Sequence, residues 1–157
     1  MRVPSRGSRG QGWVYLQFAL MAAVVAAGLG GWGWPEQVKG AFVVAGALLA
    51  AFGAVLAAWS AWTLGRSLTP FPAPPSGAAL VEAGPYARLR HPVYAAGIVV
   101  FLGAALLTGP WGLLPAVGLA FTWALKLRVE ERFLRERFPE YAAYCERVPS
   151  RLLPGVY

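Results

Sequence analysis

GAFVVAGALLAAFGAVLAAWSAWTL, residues 40–64, carries only Ser60 and Thr63 as polar side chains. At about 1.5 Å per helical residue it reaches roughly 37 Å, more than the roughly 30 Å of hydrocarbon in a bilayer. A helix apolar on every face needs lipid or a large core around it, and the run is expected to cross a membrane. Its small residues Ala45, Gly46, Ala50, Gly53, Ala54 and Ala57 let another helix approach closely. The preceding apolar run is the expected partner.

That preceding run, Trp13 to Trp34, is interrupted only by Gln17 and is also long enough to span. Arg2, Arg6 and Arg9 give it the positive start of a secretory signal. Its length and the poor cleavage site at Trp34-Pro35-Glu36 favour a retained anchor. After residue 64, Pro70, Pro72, Pro74 and Pro75 preclude an uninterrupted helix, so the segment to Gly77 reads as a surface loop or re-entrant piece. Two further runs, Val93 to Leu107 and Trp111 to Leu125, meet at the turn signal Thr108-Gly109-Pro110 and form a helical hairpin. Each reaches only about 23 Å as a helix. Full crossing is expected, and a pair that crosses only in part is the alternative.

Composition agrees: 57% of the 157 residues are hydrophobic, 13% are charged, and the mean hydropathy is +0.51. The net charge of +7 comes mostly from arginine, and Asp is absent. The basic residues do not spread over a soluble face, as a nucleic-acid binder would need, but flank the apolar runs. Arg2, Arg6 and Arg9 precede the first, Arg66, Arg88 and Arg90 lie between the second and third, and the others except Lys39 follow the fourth. An even number of crossings puts all these groups on one side, which the positive-inside rule makes cytoplasmic. The expected fold is thus an all-α integral membrane protein of about four transmembrane helices in one domain, 1–157, with both termini cytoplasmic. A charged helix, Lys126 to Phe138, and an aromatic, basic tail complete it.

A single cysteine, Cys145, precludes an internal disulfide, and a single histidine, His91, excludes any site built on two His ligands. No metal is expected. Chemistry concentrates in two stretches. In GPYARLRHPVY, residues 84–94, Pro92 suits the first position of a helix and puts His91 at its cap. Such a helix mouth, with Arg88 and Arg90 beside it, favours an anionic group. The plainer reading is that these arginines and tyrosines anchor the chain at the membrane boundary. In KLRVEERFLR, residues 126–135, Arg128, Glu131 and Arg135 fall on one helical face, so that two arginines flank a carboxylate. A solvated, ion-paired helix would look the same.

The order GPYARLRHPVY, apolar hairpin, EERFLRERFPEYAAY and ERVP, over roughly Gly84 to Pro154, resembles the catalytic region of the isoprenylcysteine carboxyl methyltransferase and phospholipid methyltransferase families. The matching residues include Arg90, His91, Pro92, Tyr94, Gly97, Glu130, Glu131, Tyr141, Tyr144, Arg147 and Pro149. This chain has Pro139 where relatives often carry glycine, and the spacing to Tyr141 is one residue shorter than in the eukaryotic enzymes. The resemblance implies a membrane methyltransferase with S-adenosylmethionine bound at the cytoplasmic face and a hydrophobic or lipid acceptor arriving from the bilayer. It divides the domain into two spans and a loop over 1–80 and a catalytic region over 81–157. It implies cofactor contacts from Tyr86, Arg90, His91, Pro92, Tyr94, Gly97, Glu130, Glu131 and Tyr144. Arg128 or Arg147 would orient a carboxylate acceptor, and Glu131 would serve as base for an amine or thiol. The Ala-, Gly-, Arg- and Pro-rich composition suggests a bacterial or archaeal plasma membrane, where prenylated proteins are not the expected acceptors. Two other classes stay open: an NADPH-dependent reductase of the sterol reductase type, and a membrane scaffold without enzymatic activity. Oligomeric state is left open.

Overall fold

The computed structural model describes residues 10–31 and 33–155, so Arg2, Arg6 and Arg9 lie outside the described residues. Among these residues five α-helices follow one another: α1 Gln11–Leu29, α2 Glu36–Leu64, α3 Pro92–Thr108, α4 Leu113–Arg137 and α5 Tyr141–Arg147. Short 3₁₀ turns lie at Gly65–Ser67, Gly84–Ala87 and Pro110–Gly112, and no strand occurs among the described residues. α1, α2 with its 3₁₀ extension, and α4 with the turn before it are long and apolar enough to cross a membrane, whereas α3 is a shorter apolar helix of 17 residues. Their outer faces carry large apolar side chains in the open, such as Phe18, Phe52, Val55, Trp62, Leu114 and Phe121. These faces suit lipid tails.

Two boundaries differ from expectation. α1 stops at Leu29 rather than continuing to Trp34, because Gly30 and Gly31 follow and Gly31 takes a left-handed φ of 72°. α4 does not end where its charges begin: one continuous helix from Leu113 to Arg137 joins the apolar run to the expected charged helix. Phe138 then leaves helical geometry ahead of Pro139, whose ring disfavours a helical residue before it.

The pairing of helices also differs. The small residues of α2 receive α3, not α1. A Cβ at Gly46 would stand 2.7 Å from the Gly103 carbonyl oxygen, one at Gly53 2.8 Å from the Val100 nitrogen, and one at Gly103 2.6 Å from the Ala50 nitrogen. Glycine at these points lets the two backbones touch, which in lipid replaces hydrophobic burial as the source of helix association. α1 instead packs on α4 and α3. α3 therefore lies between α2 on one side and α1 and α4 on the other, and its N-terminus opens onto the polar half of α4.

Candidate active site

α3 begins as the sequence demands. Pro92 occupies its first position and His91 caps it with a non-helical ψ of 57°. The tail crosses beneath this start: the Arg90 and His91 amides donate to the Ser150 and Arg151 carbonyls, each at 3.0 Å, and Arg90 Nη1 donates to the Val148 carbonyl at 3.3 Å. These bonds tie the tail to the residues at the helix mouth, just before α3.

Glu130 and Glu131 come to that mouth from α4, adjacent in sequence and therefore about 100° apart around the helix. Glu131 is buried and saturated. Arg90 Nε stands 3.0 Å from its Oε1, Arg151 Nε lies 3.2 Å and 3.3 Å from its two oxygens, and His91 Nε2 is 3.4 Å from Oε1. The arginines on this carboxylate are thus Arg90, from the turn before α3, and Arg151, from the tail, in place of Arg128 and Arg135 from its own helix. Arg135 turns to Cys145 and to the ring of Tyr141, and Arg128 is exposed.

Glu130 is only half-buried and lines a cavity. Its Oε2 accepts from the Tyr94 hydroxyl at 2.5 Å, and its Oε1 is 3.9 Å from His91 Nδ1, so the imidazole stands between the two carboxylates. The cavity holds about 750 Å³ of free space, counting the part open to solvent. Its lining includes Tyr86, Arg90, His91 and Tyr94 from the start of α3 and the turn before it, Glu130 from α4, and Tyr141 and Tyr144 from the tail. The proline-rich segment adds a mainly apolar wall, with Leu68, Phe71 and Pro72 beside Ser67 and Thr69. The Tyr144 hydroxyl donates to the Tyr86 carbonyl at 2.8 Å and ties α5 to the turn before α3. Burial pushes the phenols of Tyr86, Tyr141 and Tyr144 well above their ordinary range, so each stays protonated and can donate.

Other residues singled out from sequence have different surroundings. A Cβ on Gly97 would come within 2.6 Å of the Trp123 ring, so this glycine serves close packing of α3 on α4. Pro92 is buried at the helix start. Arg147 is exposed and paired with Glu82. Sequence reasoning missed Arg151 and Lys126. Arg151 had no legible signal beyond its charge, while Lys126 stood out only as one of two lysines. Among the described residues, no group of three His, Cys, Asp or Glu side chains could share a metal ion.

A buried carboxylate hub thus stands beside a half-open carboxylate where the apolar hairpin of α3 and α4 meets the cavity. The phospholipid methyltransferase family model matches residues 41–141, and the chain belongs to that family. The match starts within α2, well before Gly84, so the family region takes in the proline-rich wall of the cavity as well as the motifs.

Individual relatives cover less. The cobalt-zinc-cadmium resistance protein CzcN of Cupriavidus metallidurans is 37% identical over 73 residues, 45% of this chain and 34% of that protein. The nickel-cobalt-cadmium resistance protein NccN of Alcaligenes xylosoxydans xylosoxydans is 34% identical over the same shares. The Delta(14)-sterol reductase TM7SF2 of Mus musculus is 31% identical over 86 residues, 52% of this chain and 21% of that protein. The matched part of this chain thus spans about a third or less of each relative's length.

Proposed function

We propose that the protein is a membrane-embedded methyltransferase that takes its methyl group from S-adenosylmethionine and gives it to a hydrophobic or lipid-like acceptor. The observation that carries this reading is the cavity in which Glu130, Tyr94 and His91 meet under an apolar wall. The cofactor, when bound, supplies an electrophilic methyl group on a sulfonium, beside an ammonium, a carboxylate and an adenosine. The donor set fits these groups. Glu130 and the tyrosine faces suit the cations, Arg90 and His91 suit the carboxylate, and Leu68 and Phe71 suit the purine.

In this reading the two glutamates divide the work. Glu130 touches the cofactor, while Glu131 holds Arg90, His91 and the tail in place and acts as a positioning residue. Tyr94 fixes the Glu130 carboxylate so that it meets its ligand without reorganising. Tyr86 and Tyr144 close the site, and Pro92 and Gly97 shape it through the helix start and the Trp123 contact. Displacement at the methyl carbon needs alignment and exclusion of water more than acid–base help, and a cavity between an apolar wall and a rigid helix mouth offers both. Arg128 and Arg147 lie nearer the surface, where they would orient an acceptor headgroup. Carboxyl methylation is the acceptor chemistry the family resemblance favours. Four crossings, with the polar half of α4 and both termini on the cytoplasmic face of a prokaryotic membrane, agree with the basic residues at that end.

The likeness to a sterol reductase supports a second reading in which the cavity takes NADPH. Full-length protein in proteoliposomes, supplied with methyl-tritiated S-adenosylmethionine and an extract of bacterial lipids, tests the first. Label appearing in the organic phase, and lost in Glu130→Gln, is expected. No transfer to any lipid, peptide or quinone fraction would count against it.

A further inference from the structure

Lys126 is 1% exposed, deep in the packed face of α4 and one helical turn before Glu130. Its ammonium donates to Gln17 Oε1 and to the Pro70 carbonyl, each at 2.6 Å, and lies 5.3 Å from the centre of the Tyr94 ring. Gln17 is also buried, and the same oxygen accepts from Trp123 Nε1 at 3.1 Å. A desolvated ammonium costs several kcal/mol; its direct hydrogen-bond partners are uncharged and repay less than a carboxylate in contact would, and the Glu130 carboxylate one turn on acts on it only through space. Leucine or methionine would fill the position without that cost. The lysine must therefore be read by what it joins.

It joins a loop to two helices. Residues 67–79 close on themselves: the Ser67 hydroxyl donates to the Ala79 carbonyl and accepts from the Ala79 amide, both at 3.2 Å. A segment of this length with its ends clasped is an Ω-loop, and such loops open and close as units. Leu68, Phe71 and Pro72 on this loop are the apolar wall of the cavity. Inside the loop, the backbone bond from the Ala78 amide to Pro75 and the Phe71 amide to the Thr69 hydroxyl are short-range, so neither ties its tip to the protein body. Lys126 does so at Pro70, and Gly10 receives the Pro72 ring so closely that a Cβ there would stand 2.5 Å away.

We propose that Lys126 is a positioning residue for the transfer reaction: it latches the proline-rich loop to α1 and α4, and so sets the affinity of the cavity without touching what binds there. The effect on affinity rests on the cavity being the cofactor site, whereas the latch itself does not. The test compares wild type and Lys126→Met, full chain in lipid nanodiscs, by three readouts. These are hydrogen exchange of the peptide spanning 68–81, calorimetric binding of S-adenosylhomocysteine, and thermal unfolding. Methionine is expected to speed exchange of the loop peptide about ten-fold, leave α3 unchanged, and weaken binding about ten-fold. The unfolding midpoint is expected to hold or rise, since the buried charge is gone and Gln17 keeps Trp123. Unchanged loop exchange overturns the latch, and so does an affinity loss that tracks a lower midpoint. If Lys126→Met does not fold, Lys126→Leu, which likewise removes the ammonium from the Pro70 carbonyl, takes its place with the same expected directions, and unchanged loop exchange there overturns the latch equally. Wild type that fails to bind S-adenosylhomocysteine sinks the cofactor reading, while loop exchange still decides the latch.

Discussion

Replacing Glu131 with glutamine removes one charge and almost no volume, which isolates what the carboxylate does. In the wild type it faces Arg90, whose side chain is 7% exposed, and Arg151, whose side chain is 31% exposed. Breaking a buried pair from one side costs about 3–5 kcal/mol, because the partner's charge is left without compensation. The Arg151 pair is nearly one-third open to solvent and adds about 0.5 kcal/mol at most. The glutamine carbonyl still accepts from one arginine, recovering about 1 kcal/mol. The expected net loss is therefore about 2.5–4.5 kcal/mol, carried mainly by Arg90. Unfolding in mixed micelles, followed by tryptophan fluorescence, measures it. A double-mutant cycle with Arg90→Met assigns it, since removing both charges should recover about 2 kcal/mol relative to the sum of the single changes. A loss below about 0.5 kcal/mol, or strict additivity, would mean that no buried hub joins the tail to α3.

Tyr94→Phe removes only the donor to Glu130 and is expected to weaken S-adenosylhomocysteine binding about ten-fold, with unfolding changed by about 1 kcal/mol or less; calorimetry beside a melt separates the two. Gly103→Ala places a methyl group against the backbone of α2 and is expected to cost about 1–3 kcal/mol by forcing α2 and α3 apart, which the same micelle unfolding would detect. The buried tyrosines give a pH dependence of definite sign. Their folded pKa lies above the ordinary value of 10.0, so the unfolded chain loses these protons first. Their contribution is complete below about pH 9 and is lost as pH rises beyond 10, and Tyr144→Phe should flatten the fall in unfolding midpoint between about pH 9 and 11.

Much of this was legible because it is local. Proline at the start of α3 and glycine at its end are written in the sequence, and the helix runs between them from Pro92 to Thr108. The apolar lengths of α1 and α2 are equally local. What failed was non-local. Spacing along α4 puts Arg128 and Arg135 near Glu131, yet the tail brings Arg151 from 20 residues away and the helix mouth brings Arg90. The glycines of α2 announce a close neighbour without naming it, and α3 fits them where α1 was expected. Gln17 read as an isolated blemish in an apolar run, but its partner Lys126 lies 109 residues on, and only the packing of α1 on α4 joins them. The adjacent glutamates were visible as a pair. Which one faces the cavity depends on how α4 is rotated against α3, and no periodicity in the motif states that.

In the proposed function the cavity beside Glu130 holds S-adenosylmethionine. Calorimetric titration of the full chain in mild detergent with S-adenosylhomocysteine and, separately, NADPH tests it most directly, using Glu130→Gln and a surface change, Lys39→Gln, as comparisons. Wild type and Lys39→Gln are expected to bind S-adenosylhomocysteine saturably and Glu130→Gln at least about ten-fold more weakly, with no binding of NADPH. Binding of NADPH alone, or binding of S-adenosylhomocysteine that ignores Glu130, would rule out this cavity as the S-adenosylmethionine site.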